Sequence, residues 1–133
     1  MSEENVEVFK RAVEAANRSD KDAFVALLHP EVEWHTVLPM VGGDAVYRGI
    51  EGVRGLLDEL WEVLARTEFE FPDIRDLGDH LIAIGHIRVT GGASGAAIDS
   101  PFAFVIEFRG SRPYLIRSFI EPNQALEAVG LEE

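Results

Sequence analysis

Cysteine is absent from all 133 residues. That excludes disulfides, thiolate zinc sites and cysteine nucleophiles, and it fits a reducing cytoplasm. Long apolar runs are missing as well. Charges or glycines interrupt every stretch short of the roughly 20 residues that cross a bilayer. The opening MSEENVEVFKRAV has neither a basic leader nor an apolar segment, so no signal peptide is expected. Positive charge is scarce: 12 Lys and Arg stand against 24 Asp and Glu, a net charge of −12. Such a surface repels phosphate backbones and anionic lipid, which argues against nucleic-acid or membrane partners. The four histidines, His29, His35, His80 and His86, form no His-x-His and no helical i, i+4 pair, so no metal site is expected. Neither a phosphate loop nor a GxGxxG is present, and no cofactor is expected.

What is present suits an ordinary folded domain. Hydrophobic residues make up 47% of the chain, and a chain of this length buries about two thirds of its unfolded surface. No repeat, low-complexity tract or linker divides it, so 1–133 reads as one domain. Val6, Phe9, Val13 and Ala16 recur at helical spacing and predict a helix over about 3–17. Ser19 or Asp20 can cap a second, short helix carrying Phe24, Leu27 and Leu28, ended by His29-Pro30. Residues 31–37 read as a short strand, followed by a loop with Pro39, Gly42 and Gly43. Gly49 precedes a third helix, whose Val53, Leu56, Leu57, Leu60, Trp61 and Leu64 form one apolar stripe.

From residue 67 the period changes from helix to strand. Phe69 and Phe71 alternate with acids, Leu77-Gly78-Asp79 marks a turn, and strands follow at 80–90, 96–109 and 113–121. Gly91-Gly92-Ala93-Ser94-Gly95 and Arg109-Gly110-Ser111-Arg112 read as hairpin turns. Pro122 opens a short tail helix that Gly130 stops. Segregated helices and consecutive hairpins imply an α+β fold in which a curved antiparallel sheet wraps the N-terminal helices.

Leu28-His29-Pro30-Glu31-Val32-Glu33-Trp34, then Tyr47-Arg48-Gly49 opening a helix, resembles the SnoaL-like polyketide cyclases and ketosteroid isomerase-like proteins of the nuclear transport factor 2-like superfamily. Gly92-Ala93-Ser94-Gly95, the strand from Phe102 to Phe108 and the ending from Ala125 to Leu131 extend the likeness over essentially the whole chain. The resemblance implies a cone-shaped half-barrel with a pocket at its wide end, a homodimer through the sheet, and a small apolar or carbonyl- or carboxylate-bearing ligand. It also implies a choice of roles: cofactor-independent isomerase or cyclase, ligand binder, or dimerisation domain. Where ketosteroid isomerases carry a carboxylate base, a tyrosine and a protonated acid, the matching positions hold Trp34, Ala12 and Phe104. Steroid isomerisation is therefore not expected. Glu121 matches the acid near the last strand's end in the cyclases and epoxide hydrolases. His86 and Arg88 fall where the hydrolases hold an Arg and a second Asp.

Strand parity sorts the polar candidates. Residues i and i+2 share a face, so Ile82, Ile84, His86, Arg88 and Thr90 go together, as do Leu115, Arg117, Phe119 and Glu121. The resemblance puts His86, Arg88, Arg117 and Glu121 on the concave face. A charge on an apolar face needs a partner, so an arginine is expected opposite Glu121 or His86 across the pocket. Such a cluster either orients a carbonyl ligand, with Glu121 or His86 moving a proton and Arg88 or Arg117 steadying the oxyanion, or is a structural ion pair. Trp34, Phe104 and Phe119 are candidates for the apolar wall of the ligand pocket. His35 adjoins the loop at its expected mouth, and Tyr47 can offer a hydroxyl. Asp99, just before Pro101, reads as a turn former.

Overall fold

The computed structural model describes residues 2–36, 45–63, 66–78, 80–91 and 96–130. The expected loop at 39–43 and the glycine-rich turn at 92–95 lie outside them. The elements run α1 (Ser2–Asn17), α2 (Lys21–Ala26), β1 (Glu33–Thr36), β2 (Ala45–Arg48), α3 (Gly49–Val63), β3 (Arg66–Asp76), β4 (His80–Gly91), β5 (Ala96–Arg109), β6 (Arg112–Phe119) and α4 (Pro122–Ala128). The α+β class, the N-terminal helices, the hairpins and the tail helix match the sequence expectation. Strand β2 was not foreseen; it is four residues long and pairs antiparallel with β1.

Local chemistry explains the boundaries. Asp20 accepts from the Ala23 amide at 3.1 Å, so it, rather than Ser19, caps α2. Arg112 Nη1 donates to the carbonyls of Ala26 and Leu28 just past α2, at 3.1 and 3.2 Å, which satisfies acceptors a helix end leaves open. In the β5–β6 hairpin, Gly110 and Ser111 both have positive φ, 58° and 61°. That is the geometry whose twist suits a two-residue hairpin.

The six strands form one open sheet in the order β2-β1-β6-β5-β4-β3. Every neighbouring pair is antiparallel except β1 and β6, which run parallel with Trp34 opposite Ile116. The sheet curves, and α1, α2 and α3 fill its concave side. Phe9, Ala12, Leu28, Val53 and Leu56 from the helical half meet Trp34, Leu81, Ala83, Phe102 and Phe104 from the strands. A lattice of rings knits this core: Phe102 lies edge-on to Phe104 at 5.1 Å, Trp34 edge-on to Phe104 at 5.9 Å, and Phe24 stacks on Trp34 at 5.9 Å.

A second, smaller core lies on the sheet's other face. There α4 sets Ala125 and Leu126 against Ile82, Ala103 and Val105, with Ile84 and Phe119 at its margin. The convex face is thus apolar under α4 and polar beyond it. None of the helices among the described residues is long and apolar enough to cross a membrane.

Candidate functional site

Between α1, the ends of α2 and α3, and the concave face lies a cavity of about 50 Å³. Helix α1 contributes Phe9, Ala12, Val13 and Ala16, and α3 contributes Leu57 and Trp61. Thr67, Phe69, Ile87, Phe102, Phe104 and Ile116 close it from the sheet. Val13, Trp61 and Phe69 keep partial exposure and mark its solvent side. Among the described residues, the lining holds no titratable group. Trp61 carries its indole on the half-exposed side, and the buried polar side chains of the lining are those of Trp34 and Thr67.

These two differ in a way that matters. Trp34 is 5% exposed, and its indole N–H donates to Ser118 Oγ at 2.8 Å. The parallel register puts Ile116, and therefore Ser118, on the same face as Trp34. The donor is thus spent inside the protein. Thr67 is 8% exposed, and its Oγ1 is buried without a hydrogen-bond partner.

The sequence-derived candidates divide between the two faces. Trp34 and Phe104 line the cavity as expected. Tyr47 packs partly buried against the main core, with its hydroxyl 3.5 Å from a Glu59 oxygen. Burial, and then the Glu59 charge, push the phenol's pKa above its ordinary value. Phe119, His86, Arg88, Arg117 and Glu121 lie away from the cavity, a correction to the expected concave placement, and His35, expected at its mouth, does not line it either. Ile87 lines the cavity, so its strand neighbours His86 and Arg88 point to the convex side. Ile116 lines it too, which turns Arg117 and Phe119 outward. His35 joins Glu33, at 3.1 Å, and Glu33 in turn meets Arg48 at 3.4 Å. Phe119 packs with the α4 core, and Glu121 is the exposed N-cap of α4, its side chain making no capping bond.

The expected ion pairing across the pocket gives way to a ladder on the convex face. His86 Nε2 lies 2.6 Å from Glu70 and its Nδ1 2.9 Å from Asp99, while Arg88 donates to Asp99 at 3.2 Å. Strand register produces this: Glu70 is opposite His86 and Arg88 is opposite Asp99. Asp99 is therefore a strand residue and not the turn former its neighbour Pro101 suggested. Hydrogen bonds that the charged ring donates to Glu70 and then Asp99 hold the imidazole's pKa above its usual value. Both ring nitrogens face carboxylates, so neither is left to exchange a proton with a ligand. A surface hollow of about 370 Å³ adjoins the cluster, bordered by Asn17, Glu68 and Arg88. Among the described residues no group of histidines and acids is arranged to hold a metal ion.

Parity alone could not assign the faces, because α4 buries Ile82 and Ile84 on the His86 side and makes both faces of β4 apolar at its start. The sequence does not single out Glu70, and it suggests a turn at Asp99, because the importance of both comes from cross-strand register. Alternating acids in β3 beside His86 in β4 were the available signal.

A SnoaL-like domain model matches residues 9–113. Among solved structures, an NTF2-like protein from Burkholderia pseudomallei is 19% identical, with a TM-score of 0.80 over 96% of this chain and 98% of the other. A putative SnoaL-like polyketide cyclase from Shewanella denitrificans is 13% identical, with a TM-score of 0.73 over 94% and 96%. An LEH-like epoxide hydrolase from M. tuberculosis is 18% identical, with a TM-score of 0.76 over 90% and 84%. At these identities the likeness establishes the fold alone. No curated protein matches the sequence.

Proposed function

The chain belongs to the SnoaL-like domain family, and we propose that it binds a small, uncharged, largely apolar molecule between its helices and sheet without transforming it. One observation carries this reading: the enclosed void has a wall of aliphatic and aromatic side chains and, among the described residues, no acid or base. A proton-transfer enzyme needs such a group within hydrogen-bond reach of the reacting atom. His86, Arg88, Arg117 and Glu121 are on the far side of a one-layer sheet from the void.

A void of about 50 Å³ is small beside ligand pockets, which run to roughly 300–1,000 Å³. The ligand therefore seats one end in the void and displaces the partly exposed Trp61 and Phe69 to admit the rest. Burial of apolar ligand surface drives binding, at roughly 25 cal/mol per Å² before the cost of association.

The test is titration with a compact cyclic hydrocarbon or ketone, followed by heteronuclear NMR, on wild type and on Ala12→Leu and Ala16→Val, which fill the void from α1. Binding in wild type that is lost in folded variants supports the reading. Binding unchanged in both variants, or no shift at the lining residues at millimolar probe, overturns it. His86→Ala, Arg88→Ala, Arg117→Ala and Glu121→Gln are expected to bind as wild type does.

A further inference from the structure

We infer that Thr67 is the polar anchor of the cavity and makes it favour molecules presenting one neutral hydrogen-bond acceptor, such as a ketone, ester or ether oxygen. This deepens the ligand-binding reading above and rests on it.

Thr67 lies on β3 with its side chain on the same face as Phe69, and it lines the void. It is more than nine-tenths buried, yet its Oγ1 has no hydrogen-bond partner. Buried hydroxyls are normally satisfied, because removal from water without a replacement bond is unfavourable. Of the two indoles in the wall, that of Trp34 donates to Ser118, and Trp61 sits on the partly exposed side. Among the described residues, Thr67 thus offers an incoming molecule a buried polar group without a partner, a hydroxyl that can turn its hydrogen toward an acceptor.

Each ligand class then meets a different outcome. A pure hydrocarbon fits the walls but leaves the hydroxyl unpaired. A carboxylate would bring a charge into a wall with no cation among the described residues, and the loss of hydration would go uncompensated. A neutral molecule with one acceptor satisfies Oγ1 and keeps the rest of its surface on aromatic and aliphatic contacts. The bond forms with no change of charge and no proton transfer.

Cyclopentanone, its near-isostere methylenecyclopentane and cyclopentanecarboxylate are the probes, titrated by NMR into wild type, Thr67→Val and Thr67→Ser. Valine keeps the shape and removes the hydroxyl; serine keeps the hydroxyl. In wild type the ketone is expected to bind about tenfold more tightly than the alkene, the worth of one well-made hydrogen bond. Thr67→Val should erase that preference while leaving alkene affinity intact, and Thr67→Ser should retain it. The carboxylate should bind more weakly than either. Without any probe, Thr67→Val should melt no lower than wild type, since it deletes an unsatisfied group. A ketone-to-alkene ratio unchanged in Thr67→Val, a preference for the carboxylate, or a lower melting temperature of the free valine variant would each overturn the assignment while leaving the cavity reading intact. Failure of all three probes to bind wild type would overturn both.

Discussion

Asn17, the last residue of α1, brackets the backbone of Phe69 on edge strand β3: its Nδ2 donates to the Phe69 carbonyl at 3.0 Å, and the Phe69 amide donates to its Oδ1 at 2.8 Å. The side chain thereby imitates a neighbouring strand for one residue. It fixes the helix that floors the cavity to the strand that carries Thr67 and Phe69. Asn17→Ala leaves both backbone groups without their protein partner. A loss of about 1–3 kcal/mol is expected, as for partly buried groups deprived of a hydrogen bond. Urea denaturation measures it, and a change below a few tenths of a kcal/mol would refute the bracketing role. Asn17→Asp, which keeps only the acceptor, should fall between the two.

Gly85 is the point at which β4 passes a distortion in β3, where the pairing shifts between Glu70 and Asp73. A Cβ at residue 85 would lie 1.9 Å from the Glu70 carbonyl oxygen, a backbone atom that cannot swing aside. Bulges of this kind bend the strand that carries them, so β3 continues through Pro72 and does not end there. Gly85→Ala must push the two strands apart. A loss of about 3 kcal/mol is expected, at the upper end for overpacking, and thermal melting checks it. A melting point within a degree or two of wild type would show that the bulge relaxes freely.

The convex-face ladder gives stability a pH signature. His86 has a folded-state pKa above its unfolded value near 6.5, because Glu70 and Asp99 hydrogen-bond its charged form. The folded protein therefore holds this proton more tightly than the unfolded chain does. The stabilisation is complete below the unfolded value and disappears as pH rises through the folded one. Arg88 also faces Asp99 and remains charged throughout, so it does not reverse the sign. Denaturation midpoints at pH 6 and pH 8.5 should differ more in wild type than in His86→Gln. Parallel pH profiles for the two proteins would dismiss the histidine's part. The cluster is largely open to solvent, with the His86 side chain 38% exposed, so the effect should shrink with added salt.

Much of this was legible in the chain. The helical recurrence of Val6, Phe9, Val13 and Ala16, and of Val53, Leu56 and Leu57, reappears in the core, with Val6 and Val13 at its margin. Trp34 and Phe104, apolar-wall candidates from the sequence, line the cavity. Strand β2 is not legible in the sequence because four residues carry too little periodicity to register. Thr67 was overlooked because threonine is ordinary in a strand; only the missing partner of its hydroxyl singles it out.

The sequence by itself determined the elements and their order apart from β2, and the composition of the two faces of each longer strand, because side-chain periods of 3.6 and 2 are properties of a local backbone. It could not determine which strand face is enclosed. That depends on where α4 docks and on the β1–β6 parallel pairing, contacts between segments far apart in the chain. Docking of α4 buries Ile82, Ile84 and Phe119 on the side that also bears His86, Arg88 and Arg117. Tertiary packing thus decided that the charged residues form an outer ladder and that the inner void is left to rings, aliphatic chains and the Thr67 hydroxyl.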